Sequence, residues 1–310
     1  MPRPHSHDHH QPSGGHGNST DNRRRLAWAL GMAGSVLAVE VVGAIWTGSL
    51  ALLADAGHMA ADSIGLVFAL IAAALANRPP TPKRTYGLKR VEVLAALSNA
   101  LIVVAIAVGV AVGAVGRLAK PATIEAAPVM ILAAVGLVAN VISLLILRSG
   151  AKGSINVRGA YLEVMGDSLG SVAVIVSGAV IAWTGWMRAD AIASLAIALL
   201  ILPRAYSLLS DVVRVLLEAT PKDMDLDELR RHLEELKGVV SVHDLHAWTI
   251  TSGLQSLTAH VVVAPERFNP QAYHELLDEM GRCLAGHFDL THSTFQIEPA
   301  EHTEPDGLHP

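Results

Sequence analysis

The chain has 310 residues, 51% of them hydrophobic and 16% charged, with a mean hydropathy of +0.41. Arranged in long uncharged runs, that composition excludes an ordinary soluble domain and places the chain among polytopic membrane proteins. The net charge of −5 hides a split: residues 1–210 hold 16 Lys and Arg against 10 Asp and Glu, and residues 211–310 hold 7 against 18, so nucleic acid is excluded as a partner of the acidic tail.

Residues 1–25 are polar, rich in His, Ser, Gly and Pro, and end in Arg23-Arg24-Arg25. They have too little apolar surface to bury a core and are expected to form a disordered tail on the cytoplasmic side. Their histidines, His5, His7, His9, His10 and His16, can collect metal by composition alone. No apolar run lies near residue 1, so a cleaved signal peptide is not expected.

Six apolar segments follow, over about 26–46, 50–76, 93–116, 127–147, 160–184 and 189–209, each near the ~20 residues a helix needs to cross a bilayer. Breakers such as Thr47-Gly48-Ser49 and Asn77-Arg78-Pro79-Pro80 separate them. The connections on one side carry 4, 5 and 3 Lys or Arg; those on the other carry none, 2 and 1. The positive-inside rule therefore puts both termini in the cytoplasm. The expected organisation is a tail (1–25), a six-helix transmembrane domain (26–210), a cytoplasmic domain (211–299) and a second disordered tail (300–310).

The second segment contains Asp55, His58 and Asp62, and the fifth contains Glu163 and Asp167. A spacing of four places His58 with Asp62, and Glu163 with Asp167, on single helix faces. Ionisable groups at membrane depth cost roughly 2.5–3.5 kcal/mol each on insertion scales, so they face a partner, a cavity or an ion. Two helices with matched pairs of N and O donors could close one tetrahedral metal site of the kind Zn²⁺ prefers. Metal binding there would release protons and proton binding would release metal. A purely structural metal staple is the other use of such a quartet. Glu40, Asn99 and Asn140 also lie inside apolar segments. The asparagines fit helix–helix hydrogen bonding, and Glu40 and Asp55 are left without an assigned role.

Beyond residue 210 the pattern predicts a helix capped by Asp223 or Asp225 and running to Lys237, strands over 239–250 and 254–263, an amphipathic helix over 270–285 and a last strand over 293–297. That order fits a small α+β domain. Nine of the 15 histidines lie beyond residue 231. A metal site built around His243 and His260 is expected, with Glu298 as a third ligand and His246, His287, His292 and Gln296 nearby.

Three stretches resemble the cation diffusion facilitators: residues 48–58 (GSLALLADAGH), 160–171 (AYLEVMGDSLGS) and 242–248 (VHDLHAW). The resemblance covers about residues 26–299. It implies six transmembrane helices with a ferredoxin-like cytoplasmic domain, a homodimer, and efflux of Zn²⁺ or related divalent cations against protons. Carried over by position, the transport ligands are His58, Asp62, Glu163 and Asp167. Zinc members commonly carry His where this chain has Glu163, whereas a heavy-metal-resistance subgroup looks like this one; the harder site leaves room for Cd²⁺ and Co²⁺. Manganese members typically show Asp where this chain has His58, which argues against Mn²⁺. The setting implied is a bacterial inner membrane. The other reading is a membrane-anchored zinc sensor or buffer, for which paired ligands in two spans would be superfluous. No His-Glu-x-x-His and no nucleophile with a partner base is present, so an enzyme is not expected.

Overall fold

The computed structural model describes residues 16–149, 155–267, 269–288, 290 and 292–301. Its elements run α1 (His16–Thr47), α2 (Leu50–Ala76), α3 (Val91–Ala119), α4 (Ala126–Arg148), α5 (Ile155–Thr184), α6 (Arg188–Leu216), α7 (Leu226–Glu234), β1 (Val239–Thr251), β2 (Leu254–Val263), α8 (Pro270–His287) and β3 (His292–Pro299). Helices α1 to α6 each contain an apolar stretch of 23 to 29 residues, enough to cross the ~30 Å hydrocarbon core.

The helices outrun the apolar segments. α1 begins at His16 rather than near residue 26, and α6 continues to Leu216. Hydropathy marks where lipid ends, whereas a helix ends where the backbone is forced out of helical geometry. α1 stops at Gly48 (φ +66), and α6 gives way before Glu218, a non-glycine residue at φ +55. Pro203 sits inside α6 without ending it, as membrane helices allow. His5, His7, His9 and His10 lie outside the described residues.

Two compact units form: residues up to Ser63 with Val103–Pro203, and Ile64–Ile102 with the chain from Arg204 onward. In the first unit, α1, α4 and α5 pack through glycines that admit close approach. A Cβ on Gly43 would collide with Leu132, and one on Gly178 with Met130. Ala29, Leu147, Val157 and Val164 close this packing as a buried cluster. Leu50, Ala114 and Ala191 form a second cluster that joins α2, α3 and α6.

The start of α2 is held by a side chain 140 residues away. The Asp190 carboxylate, 1% exposed, accepts hydrogen bonds from the Leu50 amide (2.8 Å), the Ala51 amide (3.3 Å) and the Ser49 hydroxyl (2.5 Å). An anion at a helix N-terminus answers its unpaired amides and its dipole. Arg117 of α3 lies 3.5 Å from the same carboxylate and donates to the Gly48 carbonyl at 2.6 Å.

In the second unit, the domain after α6 is a three-stranded sheet in the order β1-β2-β3, covered on one face by α7 and α8. β1 and β2 pair antiparallel as a hairpin, and β2 and β3 pair in parallel across the α8 crossover. This is the ferredoxin-like arrangement without its first strand, so β3 pairs directly with β2. Period-two alternation sends Leu257, Ala259, Val261 and Val263 into the core against Leu229, Leu233, Leu276, Met280 and Leu284. α7 is capped by Asp225, whose carboxylate accepts from the Asp227 and Glu228 amides, and ends at Glu234, one turn before the expected Lys237.

The Asp190 staple yields a stability prediction. Asp190→Ala leaves the first amides of α2 without their acceptor and the Arg117 guanidinium without its counter-charge. It should lower the stability of the detergent-solubilised protein by about 2–4 kcal/mol. Thermal melting followed by a tryptophan or thiol probe measures the loss.

Candidate metal centres

The first centre is built by α2 and α5. His58 and Asp62 lie one helical turn apart, with His58 Nε2 3.6 Å from Asp62 Oδ2. α5 brings Asp167 to the same nitrogen, at 3.8 Å from its Oδ1. Glu163 is half-buried one turn before Asp167 on α5. Metal–ligand bonds of ~2.0–2.2 Å in a tetrahedron separate ligand atoms by roughly 3.4 Å. The imidazole–carboxylate separations thus exceed that spacing by a few tenths of an ångström, and the N and O donor set suits a borderline dication.

Carboxylates also surround this centre. Asp55, 1% exposed, accepts a hydrogen bond from Ser171 Oγ at 3.2 Å, and the backbone of Gly170 presses on its carboxylate so closely that a Cβ there would overlap it. Glu40 is 0% exposed, its Oε1 lies against Gly136, and among the described residues neither of its oxygens accepts a hydrogen bond. The asparagines do not make all the helix–helix bonds their positions promise. Among the described residues, Asn140 Nδ2 and Asn99 Oδ1 are buried without a hydrogen-bond partner.

The second centre lies on the sheet face turned away from α7 and α8. His243 and His260 are directly opposed in the β1–β2 register, their rings edge to face at 5.2 Å. Glu298 of β3, almost fully buried, joins them: its Oε1 is 2.9 Å from His260 Nδ1 and its Oε2 is 3.4 Å from His243 Nε2. One ligand atom from each of the three falls within 4.8 Å of the others, which fits a zinc-sized ion held by two imidazoles and a carboxylate. Gln296 donates to Glu298 Oε1 at 2.7 Å and orients that carboxylate.

Asp244 escaped the sequence reading. The register of β1 slips between His243 and His246, and Asp244 takes φ +47. The extra residue rephases the strand, so Leu245 and Ala247 return to the core while His246 shares the outer side with His243. Asp244 then pairs with His246 Nε2 at 2.8 Å and with His260 Nε2 at 3.5 Å. A positive φ at Asp beside two histidines was the only available signal, and a sequence does not display φ. His292 belongs elsewhere: its Nε2 is 3.1 Å from the Tyr86 hydroxyl. His287 is the last residue of α8. Burial, and then the nearby Glu235, push the Cys283 thiol pKa up.

Comparison with known proteins matches residues 26–217 to the cation efflux transmembrane domain and residues 221–300 to the cation efflux protein cytoplasmic domain. The chain belongs to the cation efflux family, the cation diffusion facilitators. The metal cation efflux system protein CzcD of Cupriavidus metallidurans is 44% identical over 303 residues, covering 98% of this chain and 92% of that one. The zinc transporter ZitB of Escherichia coli K12 is 40% identical, covering 95% and 92%. A cadmium, cobalt and zinc/H⁺–K⁺ antiporter of Bacillus subtilis is 36% identical, covering 94% of each chain. The metal-bound C-terminal domain of the CzcD transporter from C. metallidurans is a solved structure with 45% identity and a TM-score of 0.22, covering 24% of this chain and 99% of that one.

Within this cation efflux protein the tail-domain centre makes its own prediction. Zn²⁺ at a hundredfold excess over its dissociation constant should stabilise the domain by about 2.7 kcal/mol. His260→Ala, which removes the ligand shared by both neighbours, should erase most of that gain. Calorimetric titration and melting of the purified protein, with and without Zn²⁺, test it.

Proposed function

We propose that this protein is a secondary transporter that exports divalent cations from the cytoplasm in exchange for protons. Zn²⁺ is the foremost cargo, with Cd²⁺ and Co²⁺ accepted. The observation that carries the reading is the approach of Asp167 on α5 to the His58–Asp62 pair on α2, with one imidazole nitrogen within 3.8 Å of both carboxylates. His58, Asp62, Glu163 and Asp167 are the transport ligands. The cargo binds to their deprotonated forms, so its arrival releases protons and returning protons expel it. The names of the relatives point the same way: metal cation efflux for one, zinc for another, and cadmium, cobalt and zinc against H⁺ and K⁺ for the third.

Glu163 sets the breadth of cargo in this reading. A third carboxylate beside one imidazole makes an oxygen-rich site, less demanding of zinc than a site with two imidazoles. The protein works as a homodimer through its tail domain, which matches the cation efflux protein cytoplasmic domain. It is a multi-pass protein of the bacterial inner membrane, oriented with both termini in the cytoplasm by the basic connections counted above. Zn²⁺ held by His243, His260 and Glu298 would tie β1, β2 and β3 at one point.

Two variants in reconstituted vesicles test the assignment. Loss of an outer-shell partner alone costs ~10–100-fold at metal sites, so Asp62→Ala, which removes a direct ligand, should reduce zinc flux at least roughly tenfold in a folded protein. Parent-like flux would remove Asp62 from the site. Glu163→His should narrow the cargo toward Zn²⁺ in competing-metal flux; unchanged Zn²⁺:Cd²⁺:Co²⁺ ratios would show that residue 163 does not set selectivity.

A further inference from the structure

The second unit contains a cavity of about 430 Å³ whose chemistry the transport ligands do not explain. α2 contributes Gly65, Ala69 and Ala72 to it, α3 contributes Glu92 and Asn99, and the β1–β2 turn contributes Ser252. On α2 these positions continue the series 58, 62, 65, 69, 72, whose steps of four and three trace one helix face. The floor of the cavity is therefore the face of α2 that carries His58 and Asp62 farther along the same helix.

Room fits a hydrated cation, and Glu92, Asn99 and Ser252 supply polar atoms in a lining otherwise built of Gly65, four alanines and Leu208. Six waters at ~30 Å³ each occupy about 180 Å³, so an ion with its first shell enters without stripping. The α2 wall consists of small side chains, and a Cβ on Gly65 would overlap the Asn99 amide. Asn99 Oδ1 is buried there and accepts no hydrogen bond among the described residues, which leaves an acceptor for a water or an ion. Glu92 is the only ionisable residue among those lining the cavity. The nearby cation at Arg90 does not cancel it, because that guanidinium is paired with Glu218 at 2.8 Å.

Glu92 is held from an unexpected direction. Thr251, 4% exposed at the end of β1, donates its hydroxyl to Glu92 Oε2 at 2.5 Å. The tail-domain hairpin thus fixes the orientation of the one charge at this cavity.

We propose that the cavity is an entry vestibule for a hydrated divalent cation, that Glu92 is the carboxylate that captures it, and that Thr251 is the positioning residue for that carboxylate. The inference rests on the export reading above and adds the step before the transport ligands are reached. A capture site raises the local cation concentration without taking part in the later steps. It therefore acts on the concentration of metal needed and not on the rate at saturation.

The test uses the full-length protein in vesicles, with initial zinc flux measured against free Zn²⁺ at low and high ionic strength, and zinc affinity measured separately at equilibrium in detergent. Glu92→Gln keeps an acceptor for Thr251 and removes only the charge. It should raise KM roughly three- to tenfold, as one steering charge does, with the saturated rate and the equilibrium affinity unchanged. The difference should shrink at high salt, because salt screens a charge at a solvent-filled cavity. Glu92→Asp should stay nearer the parent KM than Glu92→Gln, and Thr251→Val should raise KM by less than Glu92→Gln does. Equal KM values for Glu92→Gln and parent would overturn the proposal, as would a salt-independent change or a joint loss of saturated rate and affinity. Absence of zinc flux from the parent would instead overturn the export reading.

Discussion

A charge below the lipid headgroups has to be answered by another group, and the membrane half of this protein is arranged around that requirement. His58 answers Asp62 on its own helix and Asp167 on another. Those contacts bring α2 and α5 together at one depth. The glycines of α1, α4 and α5 let backbones approach closely enough to enclose the neighbouring carboxylates, with Gly136 against Glu40 and Gly170 against Asp55. Polar chemistry in this bundle is thus made possible by the absence of side chains around it.

The tail domain solves a different problem with a different device. A regular strand would have put His243 and Leu245 on one side, sending a leucine into water or a histidine into the core. One irregular residue at Asp244 avoids this: it keeps the core apolar and collects imidazoles on the other face. Glu298 reaches the pair because β3 lies beside β2, and that neighbourhood exists because no strand stands between them. The meeting of these donor side chains and the sheet topology are linked there through a single missing strand.

Much of this was legible in the sequence. The six spans followed from hydropathy and length, because lipid imposes a composition that few other environments do. The family was visible in residues 48–58, 160–171 and 242–248. His58, Asp62, Glu163 and Asp167 are candidates because ionisable groups are rare in apolar runs, and the structure places His58 near Asp62 and Asp167. His243, His260 and Glu298, candidates from their places on or beside expected strands, have ligand atoms within 4.8 Å of one another. What stayed hidden depends on distant parts of the chain meeting. Asp190 stands at the head of α6, and nothing local says that it holds the amides of Leu50 and Ala51. Glu92 stands in the first turn of α3, and its partner Thr251 comes from a strand 159 residues away. The bulge at Asp244 was hidden too, since backbone conformation of that kind leaves no compositional trace.

The Asp190 cap also determines how α2 can move. A rod pinned at one end pivots there, and displacement grows with distance from the pivot. At 1.5 Å per residue, His58 stands about 12 Å along the axis from Leu50 and Ala76 about 39 Å. A tilt of about 10° about the pin would shift His58 by roughly 2 Å, enough to remake its contact with Asp167, and would carry the far end of the helix through nearly 7 Å. Leverage of this kind separates a small change at one side-chain contact from a large displacement at the far end of the same helix.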